Sequence, residues 1–273
     1  SQCAPCDPGK YCNAEGLLEP VGNCTAGYYC SLRATVSGPT DGVTGASCPS
    51  GYYCPSGTGA PLPCPAGTST SAMGNTDFSD CQPCPAGKYC AASASLGGVT
   101  GNCDAGYLCI SGSAVPQPTN GVNGYQCNPG RYCPNGTIAE LSCNVGTYNP
   151  SYGAASCLPC AAGFYCPMSN MSTPIACEAG YYCPEGASYG TPCPTGTFSN
   201  LTGLSAAFEC WPCTPGHYCN TTGLTAPNGL CAAGFYCASN SSSPVPSGMY
   251  PGNGPCPAGR WCAEGTTAPI DCN

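Results

Sequence analysis

The chain has 273 residues, of which 30 are cysteine, 39 glycine and 31 proline, while Leu, Ile, Val, Met, Phe and Trp together supply only 35. That is too little apolar bulk for one large hydrophobic core, so cross-links have to take its place. With 13 acidic against 5 basic residues and a net charge of −8, the chain lacks the clustered cations of a nucleic-acid footprint, and no nucleic-acid partner is expected.

Cysteine spacing divides the chain into four tandem blocks. The first, residues 1–80, opens with C-x2-C-x5-C at Cys3, Cys6 and Cys12. It continues with the C-x5-C pairs Cys24/Cys30 and Cys48/Cys54 and finishes at Cys64. The second, 81–156, repeats this with Cys81, Cys84 and Cys90, then Cys103/Cys109, Cys127/Cys133 and Cys143. The third, 157–209, has lost one pair and carries six cysteines, from Cys157, Cys160 and Cys166 through Cys177/Cys183 to Cys193. The fourth, 210–273, restores the full set with Cys210, Cys213 and Cys219, then Cys231/Cys237, Cys256/Cys262 and Cys272. A pattern that resumes in register after a deletion is modular.

Within the blocks, glycine stands three residues after the opening cysteine in all fourteen short repeats, from Gly9 to Gly259, often after Cys-Pro as in Cys84-Pro85-Ala86-Gly87. Each repeat is therefore expected to begin with a β-turn whose glycine takes a positive φ. The residue before the closing cysteine is aromatic in ten of the eleven C-x5-C repeats, Leu108 being the exception. The position before that holds an aromatic or a base: Tyr28, Tyr52, Lys88, Tyr107, Arg131, Phe164, Tyr181, His217, Phe235 and Arg260 are of this kind. The two positions lie on opposite faces of a short extended segment. One aromatic is expected to pack on the disulfides, while the other side chain stacks on the next repeat. The fold class predicted is small disulfide-rich modules in tandem, an elongated rod with short β-hairpins, almost no helix and no large core.

The segments C-P-A-G-K-Y-C (84–90), C-P-S-G-Y-Y-C-P-S-G-T (48–58) and C-P-A-G-T (64–68) resemble the ephrin-receptor-like cysteine-rich repeats found in tandem in large surface proteins of protists and algae. They are more distantly similar to tumour-necrosis-factor-receptor and laminin-type EGF modules. The resemblance covers the whole chain. It implies a spacer module reused in receptors, adhesins, coat antigens and fibres such as flagellar hairs (mastigonemes), with no catalytic residues. Pairing by similarity to receptor modules gives Cys81–Cys90, Cys84–Cys103, Cys109–Cys127 and Cys133–Cys143. A rival scheme closes every C-x5-C on itself and joins Cys64 to Cys81, leaving Cys3 and Cys272 to bond to neighbouring chains. Cysteine arithmetic leaves both open.

Four C-x2-C motifs suggest redox chemistry or zinc in isolation, but their repetition inside near-identical modules reads as structural. His217 occupies the repeat position otherwise filled by bases and aromatics and has no nucleophile motif beside it. Asp77, Asp80 and Asn75 lack the spacing of an EF-hand loop and read as a solvated loop. No cofactor and no metal are expected, and no enzymatic activity. Six N-x-S/T sequons, at Asn23, Asn135, Asn170, Asn200, Asn220 and Asn240, mark N-glycosylation candidates in the loops between cysteines. The segments 113–118 and 238–247 are Ser/Pro-rich in the manner of O-glycosylated stalks.

No apolar run is long enough to span a bilayer, and the first residues, Ser1-Gln2-Cys3, lack the features of a signal peptide. The sequence is expected to be a mature chain or a piece of one, extracellular or on a cell surface, in a flagellar or glycocalyx fibre. The function expected is a structural glycoprotein block of an extracellular filament or coat, whose partners are copies of itself or adjoining repeats and its attached glycans. The alternative is a receptor or adhesin ectodomain with a protein or carbohydrate partner.

Overall fold

A computed structural model describes residues 5–91, 98–248 and 252–272. The chain forms two compact units, one of residues 1–128, 132–141 and 152–156, the other of residues 129–131, 142–151 and 157–273. In both, the fold is a succession of small disulfide-linked hairpins. Among the described residues there are fourteen two-stranded sheets, and the helical content is two 3-10 turns, Phe78–Asp80 and Ala207–Glu209.

Each repeat starts with the expected turn. In Pro85-Ala86-Gly87-Lys88 the Lys88 N–H donates to the Pro85 carbonyl at 3.2 Å, and Gly87 sits at φ +76°. Glycine at the third turn position with this φ is a type II turn, and the proline occupies its first position. The same glycine has φ between +76° and +89° in every repeat. After the turn the chain runs extended for two or three residues and pairs antiparallel with the residues just before the next opening cysteine. Lys10 lies opposite Asn23 and Tyr11 opposite Gly22; Tyr181 lies opposite Pro192 and Tyr182 opposite Thr191.

Hydrogen bonds then interlock three successive repeats. In the first compact unit the Gly9 N–H donates to the Cys30 carbonyl (2.9 Å) and the Cys24 N–H returns to the Gly9 carbonyl (2.9 Å). The Gly57 N–H, one repeat further on, donates to the Cys24 carbonyl (3.0 Å). In the second compact unit Gly146, Cys166, Cys160 and Gly186 make the same three bonds, at 2.8, 2.9 and 2.7 Å. Strands this short cannot be stable singly. Bonding to both neighbours satisfies backbone groups that two-residue strands would leave open.

Gly57 and Gly186 belong to a second left-handed position, three or four residues after the closing position, with φ +84° and +76°. Among the described residues the three non-glycine residues with positive φ, Arg33 (+65°), Asn170 (+63°) and Asn240 (+55°), all stand in this same position. It admits side chains because several of its glycines, including Gly186 and Gly203, face open space, whereas at most turn glycines, Gly9 and Gly130 among them, an added Cβ would meet the backbone of another repeat.

The buried interior is mostly sulfur. Bonded cysteines make up most of the buried side chains, with small satellites such as Cys193, Leu204 and Cys210 under Tyr182. Tyr11 packs on the cluster of Cys24, Cys30 and Ala34, and Tyr148 on Cys160, Cys166 and Met171. The aromatic before the closing position thus covers the disulfide of the following repeat.

Candidate functional site

The disulfide pairing implied by the receptor modules is overturned. In place of Cys81–Cys90 and Cys84–Cys103, the bonds are Cys84–Cys90 and Cys103–Cys109. In place of Cys109–Cys127 and Cys133–Cys143 they are Cys127–Cys133 and Cys143–Cys157. The reason is local: turn and strand bring the two cysteines of a C-x5-C to a Cα separation of 5.8 Å at Cys84–Cys90, within reach of a bond. The rival scheme describes the chain, with Cys64–Cys81, Cys143–Cys157 and Cys193–Cys210 as the longer links. These three join residues on either side of the boundaries between cysteine blocks. Cys272 is unbonded and exposed, and Cys3 lies outside the described residues.

The long links exist because three repeats lack a closing cysteine. Its place is taken by Thr70, Asn149 and Ser199, all buried. Each finds a polar partner: the Thr70 hydroxyl donates to Asn75 Oδ1 (3.4 Å), Asn149 Nδ2 to the Arg131 carbonyl (2.7 Å), and Ser199 Oγ accepts from the Leu201 N–H (3.2 Å). With no sulfur to meet inside the repeat, Cys64, Cys143 and Cys193 reach forward to the next block. The sequence signal that reveals this is a Thr, Asn or Ser six residues after the cysteine.

The ten positions expected to stack are placed on the hairpin faces, and several reach across their own hairpin. Lys88 Nζ donates to Asn102 Oδ1 (3.1 Å), the Tyr107 hydroxyl accepts from Gln126 Nε2 (3.1 Å), and Arg260 Nε meets Asp271 Oδ1 at 2.8 Å. His217 Nδ1 lies 3.1 Å from the Pro215 carbonyl within its own turn. Phe164 lies opposite Ala176 and Phe235 opposite Pro255, while the backbone carbonyls of Tyr52 and Arg131 accept from Asn75 and Asn149. Tyr28 covers Gly38, and the Tyr181 ring stands over Gly190 and Gly223. The ring pair Phe198 and Trp211 is a different one, edge-on with centroids 6.0 Å apart.

Charged groups are engaged with nearby backbone. Asp77 accepts from the Ser79 N–H (2.9 Å) and Asp80 from the N–H groups of Thr76 and Asp77 (2.8 and 3.2 Å), a capping box on the 3-10 turn. Those donors, Thr76 first, hold the Asp80 carboxyl below the ordinary carboxylate range. Ser205, through its N–H and then its hydroxyl, does the same for Glu209. Asn75 is buried and donates to the Tyr52 and Ala72 carbonyls, so it belongs to the backbone scaffold of its loop. Among the described residues no three His, Cys, Asp or Glu side chains are grouped to hold a metal.

All six sequon asparagines, Asn23, Asn135, Asn170, Asn200, Asn220 and Asn240, are exposed. Asn135 Nδ2 donates to the Cys103 carbonyl (3.1 Å), and its Oδ1 accepts from Asn102. In the two Ser/Pro-rich segments, Ser113 and Ser241 are instead buried, their hydroxyls donating to the carbonyls of Val115 and Ser243. Two shallow clefts lie on the second compact unit. One, of about 200 Å³, is lined by Tyr165, Glu178, Tyr181 and Tyr189. Burial, with Glu178 secondarily, raises the Tyr165 hydroxyl pKa there. The other, of about 460 Å³, is lined by Leu201, Leu204, Phe208 and Trp211.

No helix among the described residues is long and apolar enough to cross a membrane. No protein-family model matches the chain, and no curated protein is significantly similar to it. The density of intrachain disulfides places the chain among extracellular structural or binding domains.

Proposed function

We propose that the chain is a structural building block of an extracellular filament or surface coat, glycosylated on its exposed loops and without catalytic activity. The observation that carries this reading is the interlock itself: each repeat is bonded through its backbone to its neighbours and closed by sulfur, and the pattern recurs with little variation in both compact units. A fold whose bonding is spent on its own repetition, with polar side chains turned to nearby backbone, suits a load-bearing and protease-resistant element. The resemblance to tandem ephrin-receptor-like repeats, including those of flagellar-hair proteins, supports the same assignment. Tyrosine-lined faces such as that of Tyr165, Tyr181 and Tyr189 are the surfaces through which copies would associate. Electron microscopy of native, unreduced material tests the proposal: regular fibres are expected, and dispersed single particles would overturn it.

The tyrosine cleft also favours a second reading, a receptor or adhesin ectodomain that binds a protein or carbohydrate there. A glycan and protein array probed with the monomeric chain separates the two. Saturable binding abolished by Tyr181→Ala, without fibres, would establish the second.

A further inference from the structure

The loop 199–204 is held rigidly. The Ser199 N–H donates to the Leu224 carbonyl (2.9 Å), the Gly203 N–H to the Cys177 carbonyl (2.8 Å), and the Leu201 N–H to the buried Ser199 hydroxyl (3.2 Å). This presents Asn200 to solvent and turns Leu201 and Thr202, the other two residues of its sequon, into the wall of the 460 Å³ cleft. The rest of that cleft is apolar and open: Phe208 is 86% exposed, Leu201 50% and Trp211 43%. Its one carboxylate, Glu209, has its oxygens engaged by the N–H and hydroxyl of Ser205 at 2.7 and 2.8 Å.

The molecule contains its own control. The loop closed by Cys64–Cys81 has the same sequence separation of 17 as the one closed by Cys193–Cys210. There Ser71 stands for Asn200 and Ala72 for Leu201, while Ser69 and Gln82 replace the ring pair Phe198 and Trp211. The sequon and the aromatic pair that includes Trp211 are present together in one loop and absent together from the other.

We infer that Asn200 carries an N-linked glycan whose first sugars lie in this cleft, their C–H faces against Trp211 and Leu201. The inference rests on the extracellular glycoprotein reading. Pyranose rings present weakly positive C–H groups to the negative face of an aromatic ring. A glycan tethered at the rim reaches that face without the entropic cost of a free ligand. It also covers an apolar patch that would otherwise invite association.

The test uses the full chain secreted from a glycosylating eukaryotic host. Site-resolved mass spectrometry is expected to find Asn200 occupied in the parent chain and in Thr202→Ser, and bare in Thr202→Ala. With Trp261→Phe to leave Trp211 as the sole tryptophan, acrylamide quenching should rise about twofold in Thr202→Ala, because uncovering one face roughly doubles access to the ring. Thr202→Ser should quench like the parent. Asn200 bare while other sequons carry sugar would overturn this inference and leave the glycoprotein reading standing. No sugar at any sequon of the secreted, disulfide-intact chain would overturn both. Occupancy with unchanged quenching would show a glycan directed away from the cleft, and would also overturn the inference.

Discussion

Gly130 and Asn170, from two different repeats, meet backbone to backbone: a Cβ on Gly130 would stand 2.2 Å from the Asn170 carbonyl oxygen. Both residues are left-handed, at φ +79° and +63°, yet only one of them has to be glycine. At Gly130 dihedral strain and a collision with fixed backbone act together, whereas Asn170 has only the dihedral to satisfy, which asparagine does readily. Gly130→Ala should therefore cost about 2 kcal/mol or more and open the neighbouring repeats to protease. Asn170→Gly should change stability by only a few tenths of a kcal/mol, and Asn170→Val should cost about 1–2 kcal/mol. Thermal unfolding and limited proteolysis of enzymatically deglycosylated protein measure this without interference from sugar. Equal effects of Gly130→Ala and Asn170→Gly would refute the assignment.

The longer disulfides give a second expectation. Non-reducing peptide mapping should recover Cys64–Cys81, Cys143–Cys157 and Cys193–Cys210 alongside the C-x5-C pairs. Removing Cys143–Cys157 by double serine substitution should cost about 3 kcal/mol, against about 2 kcal/mol for Cys160–Cys166, because the longer loop regains more entropy when freed. Recovery of a Cys84–Cys103 peptide would contradict the fold.

Much of this architecture is legible in the sequence. Turn glycines such as Gly87 and the short extended segments after them follow from the recurrence of cysteine, glycine and aromatic, because these positions are set by local geometry. Pairing is largely local as well, but cysteine spacing alone leaves two schemes open. The similarity to receptor modules points to Cys84–Cys103, and only the folded turn shows Cys90 already within bonding distance of Cys84. The second left-handed position is harder to read, since Arg33, Asn170 and Asn240 disguise a slot otherwise held by glycine. Thr70, Asn149 and Ser199 are disguised in the same way, being polar residues in a place defined elsewhere by sulfur.

Acid should loosen two loops at once. Asp80 and Glu209 accept backbone N–H groups of their own turns, which keeps both carboxyls below the ordinary range in the folded chain. A depressed folded pKa contributes stability that is fully present above the unfolded value and is lost as pH falls through the folded one. Protection of the Thr76 and Ser205 amides, measured against the intrinsic exchange rate at each pH, should thus hold at neutral and mildly acidic pH and fall only below the usual carboxylate range. Asp80→Asn should remove the pH dependence at Thr76 and leave that at Ser205 intact. A transition near pH 6 would point to other groups.

Asn149 makes the sharpest test of how a repeat survives without its closing cysteine. It is 3% exposed, its Nδ2 donates to the carbonyls of Arg131 (2.7 Å) and Ser151 (2.8 Å), and its Oδ1 accepts from the Ser151 N–H (3.1 Å). Asn149→Ala leaves both carbonyls without this donor and should cost about 2–4 kcal/mol, more than one exposed hydrogen bond is worth, because buried acceptors pay their desolvation in full. Asn149→Asp keeps the shape but turns a carboxylate toward two carbonyl oxygens, which raises its pKa in the folded chain. A raised carboxyl pKa makes folding weaken as pH rises through it, so the aspartate variant should be more stable at pH 4 than at pH 7, opposite to the trend at Asp80 and Glu209. Chemical denaturation of both variants across that range reads the difference. A pH-independent Asn149→Asp, or an Asn149→Ala as stable as the parent chain, would show that the side chain does not hold the repeat closed.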